Sequence, residues 1–325
     1  MLRRLQVYGV QMFEQDILGG VFPEYPRCHC PTIALTEGGD TLIAWYAYAE
    51  EETRNAILVF TLRRAGEDCF KRPRRILAHL TYSLGNPVLF LGPRGRVHLL
   101  FVSLKGHDWI SADIYASHSD DTGATWSTPT MLRLPQGTMI RHPPIALNGS
   151  GYLLPAYDEK RGESIVLKSD ASAERWSECH RFAGGEAIQG CFASHDGGEL
   201  TMMLRPTGDD RYCLRAISAD SGSTWSPLIR TSLPNPLSGL ATFVVDDAMC
   251  VVYNHTSLHR RYPLSLAVTR DRGVSWSAPK HIDETPQEVS YPAFVVDRHG
   301  VAHGVYTFAR ARIRYVTFDR QWWDG

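Results

Sequence analysis

Apolar positions along this chain alternate with polar ones over short runs, and Gly, Pro and Asp cut the runs apart. Thr41 to Tyr46, Val97 to Val102, Leu200 to Leu204, Met249 to Tyr253 and Ala302 to Thr307 all have this form. A period of two bounded by turn residues predicts β-strands. No long segment carries a clean 3.6-residue period, so the expected class is all-β.

One phrase then recurs in register. It reads Ser119-Asp-Asp-Thr-Gly-Ala-Thr-Trp126, Ser218-Ala-Asp-Ser-Gly-Ser-Thr-Trp225 and Thr269-Arg-Asp-Arg-Gly-Val-Ser-Trp276. Each copy follows a short apolar strand (Asp113 to Ala116, Cys213 to Ile217, Leu264 to Val268). Decayed copies run from Ser169 to Trp176 and from Arg63 to Phe70, with a sixth remnant at Thr317 to Trp322. The closing aromatics at 70, 126, 176, 225, 276 and 322 recur about every fifty residues. The Asp and Gly suit a tight turn between antiparallel strands, the Gly taking positive φ, and the Trp suits an apolar anchor between sheets. Fifty residues hold four short strands, a sheet too small to bury its own faces. Stacking such sheets around an axis solves this, so residues 1–325 are expected to form a single six-bladed β-propeller domain. The N-terminal segment around Gln6 to Val10 is expected to complete the last blade beside Ile313 to Thr317.

Composition narrows the partners. The chain has 325 residues, 43% apolar and 21% charged, with a net charge of −1. That balance offers no electrostatic footprint for nucleic acid or an anionic membrane. No apolar run approaches the roughly 18–20 residues that cross a bilayer, and the N-terminus has basic residues without an apolar h-region, so a cytoplasmic location is expected. The seven cysteines are an odd number and scattered, which suits reduced thiols rather than a disulfide framework. Cys28-His29-Cys30 invites a metal reading. Successive residues on a strand point to opposite faces, however, so His29 faces away from the two cysteines, and no second pair completes a tetrahedral set, so no metal is expected. There is no Gly-rich phosphate loop and no other sign of a cofactor.

The repeats resemble the Asp boxes of the sialidase (neuraminidase) superfamily, over nearly the whole chain. The closer resemblance is to the bacterial BNR-repeat-like branch described as predicted neuraminidases. It rests on Cys28-His29-Cys30-Pro31-Thr32-Ile33, Gly85-Asn86-Pro87-Val88-Leu89-Phe90, Leu233-Pro-Asn-Pro-Leu-Ser-Gly239, Tyr253-Asn254-His255-Thr256 and Ser290-Tyr291-Pro292-Ala293. Such enzymes clamp a sugar carboxylate with three arginines and use a tyrosine nucleophile activated by a glutamate, with an aspartate as acid/base. The resemblance places the second and third arginines at Arg205 and Arg261 and the tyrosine at Tyr291. The other three positions depart from it. The first arginine falls on His29, the glutamate on Gln189 (Glu186 is one step out of register), and the acid/base aspartate near Asn55, with Glu50, Glu51 and Glu52 close by. A glutamine cannot take the proton of a tyrosine, and an asparagine cannot protonate a leaving group.

The expected axial constellation is therefore His29, Asn86, His142, Gln189, Arg205, His255, Arg261 and Tyr291. Of the alternating Arg310, Arg312 and Arg314, Arg312 is the one expected to point inward as a third cation. His29, Tyr291, His142 and Gln189 stand as catalytic candidates. Arg205, Arg261, Asn86, His255, Arg312 and Asn55 stand as substrate-binding ones. The resemblance implies an enzyme cleaving a glycosidic bond next to a carboxylate-bearing sugar, with His29 and Tyr291 in place of the usual acid/base set. The same residues also fit a uronate lyase acting by β-elimination, a biosynthetic enzyme acting on another small carboxylate, and a sugar-binding propeller without catalysis.

Overall fold

In the computed structural model, which describes residues 3–7, 10–17, 22–78, 80–147 and 149–324, the recurring phrase closes the same turn three times. Its Asp carboxylate is the organiser. Asp220 accepts the Thr224 backbone N–H at 2.8 Å, the Thr224 hydroxyl at 2.7 Å and the Ser218 hydroxyl at 2.8 Å. Those bonds, the Thr224 hydroxyl foremost, hold the Asp220 pKa down at about 2. Ser218 Oγ also accepts the Gly222 N–H at 2.8 Å. Asp121 and Asp271 repeat the arrangement. The Gly takes positive φ in each copy (Gly123 84°, Gly222 83°, Gly273 85°) and abuts the preceding blade. A Cβ on Gly222 would lie 2.2 Å from Leu153 Cδ1, and one on Gly123 would lie 2.4 Å from Phe60. In the decayed copy Ala173 adopts φ 59° at the glycine's place, and Asp170, one residue early, accepts the Glu174 N–H at 3.0 Å. Ser218→Ala removes the acceptor for a buried N–H, so it should cost about 1 kcal/mol in urea unfolding with an unchanged m-value.

Six antiparallel sheets result, and they follow one another along the chain. The inner strands of the first, second, fourth, fifth and sixth blades are Arg27–Leu35, Ser83–Leu91, Ala187–Ser194, Ala241–Val245 and Val289–Val296. In the third blade the inner edge is broken into Thr138–Ile140 and Ile145–Leu147, both paired with Gly151–Asp158. Inner strands of consecutive blades pack together, and Val289–Val296 meets Arg27–Leu35 to close the ring. The interiors between blades are apolar clusters, such as Phe243, Phe294, Phe318 and Trp322 between the fifth and sixth.

The last blade is completed from the N-terminus, but by a later segment than expected. Strand Val10–Ile17 pairs with Arg312–Phe318 through Phe13 opposite Thr317 and Ile17 opposite Ile313, and Arg3–Val7 lies outside it. The sixth remnant is not a turn between strands. After Phe318 the chain enters a short helix, Arg320–Asp324, whose Trp322 stacks on Phe318 at 4.6 Å.

One irregularity repeats and positions the site. Four inner strands carry the same one-residue bulge against their neighbour, between His29 and Thr32, Gly85 and Val88, Ile188 and Cys191, and Ser290 and Ala293. The first residue inside each bulge has positive φ: Cys30 58°, Asn86 42°, Gln189 53° and Tyr291 55°. None is glycine, so each conformation is strained and must be held by its surroundings. A bulge turns a side chain off the alternating pattern of a strand. Here Asn86, Gln189 and Tyr291 are turned toward the axis.

Candidate functional site

All six blades contribute to a cavity of about 210 Å³ where the inner strands begin. The first blade supplies His29, Tyr46 and Glu52. The second supplies Asn86 and Trp109, the third Met139, Tyr157 and Glu159, and the fourth Ile188, Gln189 and Arg205. Arg261 comes from the fifth, Tyr291 and Arg310 from the sixth.

Tyr291 is at its centre. Arg205 Nη1 donates to the Tyr291 hydroxyl at 3.2 Å and to Gln189 Oε1 at 3.1 Å. Gln189 Nε2 donates to the Tyr157 hydroxyl at 3.3 Å. Among the described residues no carboxylate is bonded to the Tyr291 hydroxyl, and Arg205 forms no ion pair. The Arg261 guanidinium lies 5.3 Å from the Tyr291 ring centroid, and Arg141 lies 5.4 Å from it. Arg141 is buried, and its guanidinium donates to the carbonyls of Tyr291 at 2.7 Å, Pro292 at 3.0 Å and Pro31 at 3.3 Å. It ties together the bulges of the first and last blades, satisfying carbonyls that a bulge leaves unpaired.

The other cations are shared with carboxylates. Arg261 Nη1 donates to Glu288 Oε1 at 2.9 Å, and Arg310 Nε donates to Glu288 Oε2 at 2.9 Å. Arg310 Nη1 also donates to Glu52 Oε2 at 2.8 Å, an oxygen that accepts the Tyr46 hydroxyl at 3.0 Å. Burial opposes the charged form of Glu288, but His29, Arg310 and Arg261 outweigh it and hold its pKa at about 2.

His29 is buried, with Nδ1 at 3.0 Å from Thr307 Oγ1 and its ring centroid 4.4 Å from that of Tyr291. Burial, with Arg310 next, holds its pKa well below the usual 6.5. The imidazole is therefore neutral at pH 7.

Of the residues expected from the sequence, the cavity brings together His29, Asn86, Gln189, Arg205, Arg261 and Tyr291. It does not gather the other four. Asn55 is exposed on the loop behind Glu52. His255 is engaged by the Tyr253 hydroxyl at 2.5 Å, outside the lining. His142 is buried beside a second cavity of about 270 Å³, walled by Phe192, Phe243 and Phe294 further along the inner strands. Arg312 is exposed and pairs with Asp16 at 3.0 Å. The inward arginine is Arg310, because alternation fails there: Ala309 and Arg310 both have φ 51° in the turn between the last two strands. Glu159, Glu288, Arg141, Trp109 and Tyr157 also belong to the site or its support. Arg141 has a readable signal, since Arg141-His142-Pro143 stands where other blades carry Cys30-Pro31, Asn86-Pro87 and Tyr291-Pro292.

The profile of the BNR repeat-like domain matches residues 39–303. No curated protein sequence matches the chain. Among solved structures, a Hadza microbial sialidase superposes with a TM-score of 0.78 at 14% identity, over 92% of this chain and 67% of the sialidase. The intramolecular trans-sialidase of Ruminococcus gnavus, solved with oseltamivir carboxylate, superposes at 0.74 and 12% identity, over 95% of this chain and 97% of that one. A Dyadobacter fermentans protein of unknown function superposes at 0.78 and 14% identity, over 98% and 99% of the two chains. At these identities the likeness is one of fold, a six-bladed β-propeller, and the domain match settles kinship: the chain belongs to the BNR repeat-like domain family.

Proposed function

We propose that the axial cavity binds a small carboxylate-bearing sugar and that the protein cleaves the glycosidic bond beside it. The observation that carries this reading is the convergence of Arg205, Arg261 and Arg310 on the cavity that holds Tyr291, with Arg205 in no ion-pair contact among the described residues. A guanidinium not bonded to a carboxylate in a half-enclosed site is a ready donor to one, and the planar fork favours two parallel bonds. Glu288 holds Arg261 and Arg310 side by side, so their orientation is set before a ligand arrives. At about 210 Å³ the space suits one sugar ring rather than a long glycan.

In this reading Tyr291 lies against the reacting carbon, and His29 serves as the packing wall behind its ring. A neutral, fully buried imidazole whose Nδ1 faces Thr307 is a poor proton carrier at pH 7. The Tyr291 hydroxyl, held by Arg205 with no carboxylate bonded to it, fits β-elimination from a uronate equally well. An unsaturated product absorbing in the ultraviolet would select that second chemistry.

Calorimetry with N-acetylneuraminate and glucuronate, each against its methyl ester, tests the clamp. The free acids should bind and the esters should not. Arg205→Met should weaken binding by about 1.5 kcal/mol, roughly tenfold, while Arg312→Met changes nothing. Equal binding of acid and ester, or none of either, would overturn the reading.

A further inference from the structure

Two glutamates reach the cavity wall, and they differ in what already occupies them. Glu52 is engaged by Arg310 at 2.8 Å and by the Tyr46 hydroxyl at 3.0 Å. Glu159 has only its backbone committed, its N–H donating to Gly137 O at 2.9 Å. Among the described residues its carboxyl has no hydrogen bond or ion pair, although it is half-buried and lines the cavity.

Its position follows from the third blade. Strand Gly151–Asp158 ends at the cavity, delivering the Tyr157 hydroxyl and then Glu159 at the first residue of the turn. Tyr157 is hydrogen-bonded to Gln189, which is bonded to Arg205, which is bonded to Tyr291. Glu159 thus lies beside this relay without being consumed by it. The ionisable groups facing it are Arg205, from the adjacent blade, and Tyr157 on its own strand. A carboxyl that makes no hydrogen bond or ion pair at the wall of a polar cavity, next to a chain of bonds ending on the central tyrosine, has the features of a group kept for a ligand.

We infer that Glu159 is the proton donor of the cavity, giving its proton to the leaving oxygen as the glycosidic bond breaks. The inference rests on the reading of the cavity as a glycoside-cleaving site. The C–O bond breaks with its electron pair going to the leaving oxygen, which takes the Glu159 proton. Water supplies the oxygen that replaces it on the sugar carbon, and its proton restores the carboxyl. Burial favours this use by pushing the Glu159 pKa above the ordinary carboxylate value, with Arg205 working in the opposite direction. The asparagine at 55 then leaves no gap, because the acid comes from the third blade instead of the first.

The test compares wild type with Glu159→Gln on the 4-methylumbelliferyl and methyl glycosides of N-acetylneuraminate and of glucuronate. A donor to the leaving group matters most where that group is a poor one. The variant should lose about 10²–10⁴-fold in kcat on the methyl glycoside, stay within about tenfold on the aryl glycoside, and keep KM. It should also bind the free sugar acid like wild type and melt at the same temperature. An equal fall on both glycosides, or no fall on either, overturns the inference and leaves the carboxylate clamp standing. Wild type that binds the sugar acid but cleaves no glycoside also overturns it. Wild type that neither binds nor cleaves overturns both the inference and the clamp.

Discussion

Arg310→Ala should destabilise the folded protein by about 2.5 kcal/mol at pH 7, with Glu52, left without a cation, accounting for most of the loss. Arg310 bridges Glu288 and Glu52 at 2.9 and 2.8 Å, and the three side chains are between 24% and 31% exposed. Breaking a fully buried pair costs roughly 3–5 kcal/mol because a charge is stranded, and partial exposure lowers that figure. In the variant Glu288 keeps Arg261 and the Ser290 hydroxyl, at 2.9 and 2.7 Å. Glu52 keeps only the Tyr46 hydroxyl. The measurement is a double-mutant cycle in urea with Glu52→Gln. If the stranded carboxylate is the cause, Glu52→Gln in the Arg310→Ala background should restore more than about 1 kcal/mol. Its pH dependence has a definite sign. The folded pKa of Glu288, about 2, lies below its unfolded value near 4.3, so its stabilisation is complete above about pH 4.3 and is lost as pH falls toward 2. The gap between wild type and variant should narrow on the same limb. Additive single effects would mean that Arg310 acts through packing alone.

The fold was readable because its signals were local and repeated. A turn built from one Asp, one Gly and one hydroxyl uses the same atoms wherever it occurs, so three copies in register announce three equivalent hairpins. What the repeat could not show is where alternation breaks. Arg310 and Arg312 look equivalent in sequence, two steps apart on an expected strand. The residue that reaches the axis sits in a turn with positive φ, while the other is drawn outward to Asp16 on the N-terminal strand. Strand periodicity holds only inside a ladder, and cavity walls are built from the places where ladders stop.

The candidate site was legible to a similar extent and for a related reason. Asn86, Gln189 and Tyr291 each precede Pro or Gly at the start of an inner strand, a sign of the bulge that aims them. Glu159 and Glu52 come from loops joining the next two strands of their blades, where no period constrains them. The cavity wall does hold two carboxylates, Glu52 in the same loop as Asn55 and Glu159 at the corresponding turn of the third blade. This is how a ring of blades can keep a polar axis while the positions of its charges change, since any of the six hairpin ends opens onto the same cavity.

Acid should unfold this protein early, driven by imidazoles rather than carboxylates. His29 and His142 are 2% and 3% exposed. Burial holds both pKa values well below 6.5, with Arg310 adding to it at His29 and Arg141 at His142. Below pH 6.5 the unfolded chain takes up a proton at each, and the folded ring does not. Stability from these groups is therefore complete above about pH 6.5 and falls as pH drops below it, the slope approaching about 1.4 kcal/mol per pH unit for each imidazole. Urea titrations between pH 7 and 5.5 should show this fall, and His29→Gln or His142→Gln should each remove one imidazole's share of it. A slope that neither variant changes would place the proton uptake elsewhere, for example at His98, which burial pushes down to about 4. Because neither imidazole takes up a proton while the ring is folded, ligand binding at the axial cavity should be lost together with global unfolding as the pH falls and not ahead of it.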